Sequence, residues 1–351
     1  GDALDLDGGI EGLDDDEGEG GSDDGWDLDG GEIDLSMATP ANDDPGYYVP
    51  PTAGESEGEK WAKSSQLAAE HVAGGSFESA MQLLREQLGV TNFAPLKESF
   101  LSTYSAARAV LPTLPSLSPY TVALSNSDGK PMLCMSMKNL AGRVKQGYTF
   151  FQKGKFADAE KQFRSILQAV PLVVVETRQE VAEVKGLIDT CREYVTATAL
   201  QQAAKGEEPQ RKAEMAALCA HTKLQGAHLG LTLRVAMKAL INKEVNNFQD
   251  AGTLARRILE MNPAPNLAKE AKQVLQAADR NPRNESKIDY DGRNPFVICV
   301  ISNKPIFKGN PMTKCTMCGA AAKPAHKGEL CPTCDLATIG LEGSGLNCVR
   351  M

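Results

Sequence analysis

A mainly α-helical chain that ends in a small, metal-stapled β module is the fold that the sequence predicts. Three observations predict it. Apolar residues recur at three- and four-residue spacing through most of residues 61–278. Two Cys-x-x-Cys pairs follow, twelve residues apart, after that period has ended. Before the helices, residues 1–58 are too rich in Gly, Asp and Glu to bury a core.

The acidic segment comes first. Residues 1–60 carry 20 Asp/Glu and one Lys, and the other 291 residues carry 26 acidic and 36 basic side chains. The formal charge of −9 hides this split. We expect residues 1–58 to form a disordered acidic linker, because so little apolar surface cannot offset the entropy of ordering. Its one apolar knot is Trp26-Asp-Leu28, with Ile33 and Leu35. That knot reads as solvated linker or as a short linear motif, with Trp26 in a partner's pocket and its acidic neighbours on a basic rim. The excess of ten positive charges in the remainder is too dilute to argue for nucleic acid. It suits acidic protein surfaces or anionic headgroups equally.

The rest of the chain can bury a core, since 42% of all residues are hydrophobic. No run approaches the roughly 18 apolar residues of a membrane span. Ala169–Val175 comes nearest and is broken by Pro171. With no signal-like start, a soluble chain is expected, and the missing initiator Met reads as a fragment of something longer. Nine cysteines, four of them in two pairs, argue for a reducing compartment and one metal site, not a disulfide framework.

A helical domain is predicted over 59–280. Its segments are Gln66–Val72, Phe77–Leu88, Leu96–Val110, Leu140–Phe151, Phe156–Val170, Val175–Ala197, Ala213–Leu224, Leu231–Ile241, Ala251–Leu259 and Leu267–Ala278. Gly and Pro punctuate the gaps. A pattern recurs three times: Phe77-x-x-Ala80, Phe156-x-x-Ala159 and Phe248-x-x-Ala251, preceded by Gly75, Gly154 and Asn246. The second and third copies run on into Ile-Leu and Pro. Those offsets suit the second helix of a tetratricopeptide-type pair, and Gly147 and Phe150 fall where its first helix carries Gly and Tyr. Because the copies lie 79 and 92 residues apart, the domain is an irregular TPR-like array of helical hairpins. Between Pro112 and Met135 the period lapses. Tyr120, Val122 and Leu124 alternate, Asp128-Gly129 supplies turn chemistry, and Met132 to Cys134 resume, which predicts an inserted β-hairpin.

After a connector at 281–294 a β-rich module is predicted over 295–351, with strands at Phe296–Ile301 and from Lys304 towards Gly309. Cys315-x-x-Cys318-Gly319 and Cys331-Pro-x-Cys334 then supply a four-sulfur set. Two intervening residues let both sulfurs of one tight turn face a single ion, and two facing turns make the tetrahedral shell of a structural Zn²⁺. A zinc-ribbon-like module with one bound zinc is therefore expected. Four thiolates leave no open coordination position, and no nucleotide loop, nucleophile elbow or His-Glu-x-x-His motif occurs elsewhere. The chain reads as non-catalytic. His326, between the pairs, reads as a loop residue.

Ile288-Asp-Tyr-Asp-Gly-Arg-Asn-Pro-Phe296, Pro305-Ile-Phe-Lys-Gly309 and Cys331-Pro-Thr-Cys-Asp-Leu-Ala337 resemble the carboxy-terminus of the coatomer (COPI) alpha subunit. The stretch Gly147-Tyr-Thr-Phe-Phe-Gln-Lys-Gly-Lys-Phe156 and the acidic Asp24-Gly-Trp-Asp-Leu28 are similar to the same family. The resemblance implies a peripheral place in the COPI coat on the cytosolic face of Golgi membranes and vesicles, in Golgi–ER transport. It also implies binding to the coatomer epsilon subunit and other coatomer subunits. The inserted hairpin, through Tyr120, Val122, Leu124, Met132 and Leu133, is the expected docking element for the epsilon-type partner, with Trp26 a further candidate contact. Two other classes use similar cysteine sets. A ubiquitin-ligase-like module needs eight interleaved ligands where this sequence has four, and a nucleic-acid-binding zinc ribbon needs a denser basic face than six Lys/Arg against three Asp/Glu in 295–351.

Overall fold

Among the described residues the first helix begins at Glu57. The computed structural model describes residues 57–109, 120–121 and 133–350. The acidic linker with Trp26 lies outside them, as do Val122, Leu124, the Asp128-Gly129 turn and Met132.

Helix α1 (Glu57–Ser64) leads into a first hairpin of α2 (Ala68–Gly74) and α3 (Phe77–Leu88), followed by α4 (Lys97–Ala106). A second hairpin joins α5 (Met137–Gln152) to α6 (Phe156–Ala169). The long α7 (Arg178–Ala203) and α8 (Pro209–Cys219) lead to a third, α9 (Gly226–Leu240) with α10 (Phe248–Glu260), and α11 (Pro265–Arg280) closes the array. Thr177 starts α7 with a capping box, its hydroxyl accepting from Glu180 N–H while the Glu180 carboxylate accepts from Thr177 N–H.

All three copies of the Phe-x-x-Ala pattern are one and the same turn. A residue in the left-handed region comes first: Gly75 (φ 85°), Gly154 (φ 72°) or Asn246 (φ 51°). The next residue, Ser76, Lys155 or Asn247, has φ −86°, −81° or −93° and ψ 70°, 68° or 71°. Phe then opens the helix, and the Ala three residues on is fully buried against the preceding helix. Gly147 does in α5 what this small Ala does in α6. A Cβ there would lie 2.7 Å from the Phe163 ring, so only glycine lets the two helices meet. Around that contact sits an aromatic centre in which Phe163 stacks on Tyr194 at 4.6 Å and Tyr194 Oη meets His228 Nδ1 at 2.7 Å.

The insertion between α4 and α5 contains an antiparallel pair, β1 (Arg108–Ala109) with β2 (Tyr120–Thr121), in register Ala109↔Tyr120. The strand at Tyr120 thus takes an upstream partner; the expected downstream strand lies mostly outside the described residues, of which Leu133 and Cys134 are not in a strand. Arg108 anchors the upstream pair. Its guanidinium donates to Ala73 O at 2.9 Å and lies 3.7 Å over the Tyr104 ring, which fixes β1 at the end of α4.

In the terminal module β3 (Phe296–Ile298) pairs with β4 (Pro305–Phe307), and β5 (Thr313–Lys314) pairs with β6 (Ala321–Ala322). The connector at 281–294 packs against the helices. Asn247, fully buried, bonds Ser286 through both its amide atoms, and Phe248 N–H donates to Arg283 O at 3.1 Å. Residues 54–351 form one compact unit, and one apolar core runs from α2 to Cys348. Among the described residues no helix is long and apolar enough to cross a membrane.

Candidate metal centre

Each cysteine pair sits in a tight turn with the same wiring. In the first, at the end of the β5–β6 hairpin, Cys315 N–H donates to Ala320 O and Gly319 N–H to Cys315 O, both at 2.9 Å. In the second, Cys331 N–H donates to Ala337 O and Asp335 N–H to Cys331 O, again at 2.9 Å. The residue after each second cysteine is left-handed: Gly319 at φ 72° and Asp335 at φ 58°. At Gly319 glycine has a further reason, since a Cβ would come within 2.9 Å of the Arg192 guanidinium.

The turns face one another and bring all four sulfurs within 4.8 Å, fully buried. Cys315 Sγ lies 3.8 Å from Cys334 Sγ, and Cys318 Sγ lies 3.7 Å from Cys331 Sγ. A tetrahedral ion with metal–sulfur bonds of ~2.3 Å needs sulfurs roughly 3.8 Å apart, so the donor set fits. Left to themselves the thiols share protons: bonds from Cys315, Cys318 and Cys334 hold the Cys331 thiol well below its usual range. Hydrogen bonding with Cys315 first, then burial, pushes Cys318 and Cys334 up. A cation removes that conflict by stabilising thiolate at every position. These four cysteines could hold one metal ion. His326 is not among them and pairs with Glu329 at 2.9 Å.

The helices grip the turns by their carbonyls. Arg164 of α6 donates to Pro332 O at 2.8 Å, and Gln168 of the same helix to Cys334 O at 3.2 Å. Asn92 donates its side-chain amide to Asp335 O at 2.9 Å, while the Thr91 and Asn92 N–H groups share Leu336 O. Arg192 of α7, itself paired with Asp189 and Glu193, donates to Cys318 O at 3.2 Å. Sequence reasoning did not find these residues; polar side chains on a helix carry no mark of a partner 126 to 168 positions away. It also missed a third turn of the same wiring. Cys299 N–H donates to Lys304 O and Asn303 N–H to Cys299 O, both at 2.9 Å, with Asn303 at φ 51°. Ser302 stands where the second sulfur would be. The signal was present: Cys299, Cys315 and Cys331 are evenly spaced, and Lys-Pro-x-x-Lys-Gly follows both Cys299 and Cys315, at 304–309 and 323–328.

Of the residues expected at a partner surface, only Leu133 has a described side chain. It is half-buried against Trp61, Ala73 and Ala107, so part of the insertion's far end belongs to its own domain.

A family model for the C-terminus of the coatomer (COPI) alpha subunit matches residues 2–351. Coatomer subunit alpha-1 of Arabidopsis thaliana is 39% identical over 92% of this chain and 28% of its own length. Coatomer subunit alpha of Dictyostelium discoideum is 37% identical over 88% and 26%, and that of Saccharomyces cerevisiae 27% identical over 93% and 28%. The chain therefore spans little more than a quarter of the length of these relatives. With that match across nearly every residue, the chain belongs to the family defined by the C-terminus of the coatomer (COPI) alpha subunit.

Proposed function

We propose that this chain is a non-catalytic assembly region of the COPI vesicle coat, acting in Golgi–ER transport as a peripheral component on the cytosolic side of the membrane. It joins the coat by binding the coatomer epsilon subunit, and Cys315, Cys318, Cys331 and Cys334 hold one structural zinc ion. The observation that carries this reading is the family match over residues 2–351, on a fold whose candidate metal site is closed. Four buried sulfurs leave an ion no position for water or substrate, so the site suits stapling and not hydrolysis.

The insertion between α4 and α5 is the docking element. An isolated two-stranded ribbon is marginal in water and needs a surface to pack on. Leu133 packs on its own domain, which leaves Tyr120, Val122, Leu124 and Met132 as the candidates for the partner. Replacing residues 122–131 with a short Gly linker tests this against purified epsilon subunit. Loss of binding with unchanged helical content and melting supports docking; retained binding, or global unfolding, assigns the segment to its own core. Trp26→Ala is the parallel test of the acidic knot, read out as weakened capture of other coatomer subunits. One equivalent of zinc by elemental analysis is expected, and its absence from protein purified without chelator removes the metal from the proposal.

A further inference from the structure

Two clefts flank strand β3. One, about 270 Å³, opens between α7 and the terminal module; the other, about 240 Å³, opens between β3 and the loop after β4. They share Phe296 and Val297 as a dividing ridge, and Val297 is 40% exposed. The wall beyond the second cleft ends in Met312, also largely exposed. Leaving both side chains in water is unfavourable, and a ridge between two hollows is a shape that a chain can lie across.

The unpaired charges that line these clefts are of one sign among the described residues. Lys223 and Lys314 line the first cleft and Lys308 the second. All three are exposed, and none forms an ion pair among the described residues. Among the described residues the one carboxylate in either lining, Glu193, is already engaged: it pairs with Arg192 at 3.1 Å and accepts from Lys223 N–H at 3.0 Å. The free charge is therefore positive, and the apolar floor lies beneath it. We propose that these two clefts form a docking groove for an acidic peptide segment of a partner protein, laid across Val297 with a bulky apolar side chain in a cleft and carboxylates on Lys223, Lys314 and Lys308. A membrane surface fits less well, because the apolar lining other than Val297 and Met312 sits within the two concavities. No described residue of the insertion lines this groove, and the proposal does not depend on which coat component binds the insertion.

A library of random twelve-residue peptides displayed on phage, selected on the whole immobilised chain, tests the proposal. Selected peptides should be rich in Asp and Glu with one large apolar residue. Lys223→Glu combined with Lys314→Glu should weaken the best of them by at least about ten-fold, and added salt should weaken it too. Lys269→Glu with Lys272→Glu, the same charge change on the exposed face of α11, should leave binding unchanged. Circular dichroism and metal content confirm folding; if the β3-side double variant is unstable, Val297→Ser replaces it. No selected acidic peptide, equal binding to both double variants, or equal loss in both overturns the proposal. Co-sedimentation with phosphatidylserine vesicles that is lost in the same β3-side variant, with no peptide selected, overturns it in favour of a membrane.

Discussion

Replacing Cys334 with Ser should loosen the whole 54–351 unit and not the terminal module alone. The substitution removes one of four buried sulfurs and with it the closed shell that the set could offer a metal ion. The carbonyls of the Cys334 turn accept six hydrogen bonds from outside the module: two from Arg164, one from Gln168, one from the Asn92 side chain, and two at Leu336 O from Thr91 and Asn92 N–H. At roughly 1 kcal/mol net each, their loss is worth about 6 kcal/mol. Whole domains are stable by only about 5–15 kcal/mol. The melting temperature should therefore fall by on the order of 10 °C. In the parent protein, helix ellipticity and metal release to a chromogenic chelator should follow a single urea transition. If Cys334→Ser keeps its full helical content and midpoint while only residues 295–350 lose hydrogen-exchange protection, the module is an independent appendage and this reasoning fails.

Other perturbations follow from single contacts. Arg164→Ala, which frees Pro332 O and Thr333 O and removes the ion pair with Glu160, should cost about 1–3 kcal/mol in urea unfolding. Gly147→Ala pushes a methyl group into the Phe163 ring and should destabilise by at least about 1–3 kcal/mol, whereas Gly142→Ala, with open space around it, should be neutral or slightly stabilising. Burial, then Arg257, lowers His221 from 6.5 to about 4, and burial lowers His228 as well. The unfolded chain thus takes up protons that the folded one refuses between those values. Stability is complete above pH 6.5 and falls towards pH 4, by about 1–2 kcal/mol for His221 after allowing for its partial exposure. His221→Gln should flatten that slope in chemical denaturation followed across the range.

The helices were legible because each buries one stripe, and the stripe is written into the spacing. Phe77–Leu88 is read from sequence with the ends it has in the structure, since a left-handed Gly closes it on either side. The three Phe-x-x-Ala turns were legible as a pattern, but their identity needed the backbone angles, because Gly and Asn reach the left-handed region by different chemistry. The four cysteines were legible since a metal shell demands local spacing. The grip on that shell was not, because Arg164 and Arg192 reach it only after the chain has folded back. The upstream partner of Tyr120 was not legible for a related reason. Alternation fixes which residues share a face, but says nothing about which neighbour lies alongside.

Glu70 is buried to 95% in α2, and its carboxylate is held by Arg350 Nε at 2.8 Å, with Val349 bridged to Val175 beside it. The consequence is a matter of timing on the ribosome. Hairpins of α2 to α6 are made early and can form as they emerge, but their shared interior keeps an unanswered negative charge until residue 350 is translated. Nascent chains and premature termination products should therefore hold this end of the array open and accessible to chaperones and proteases. Closing this end of the array should then require translation through residue 350.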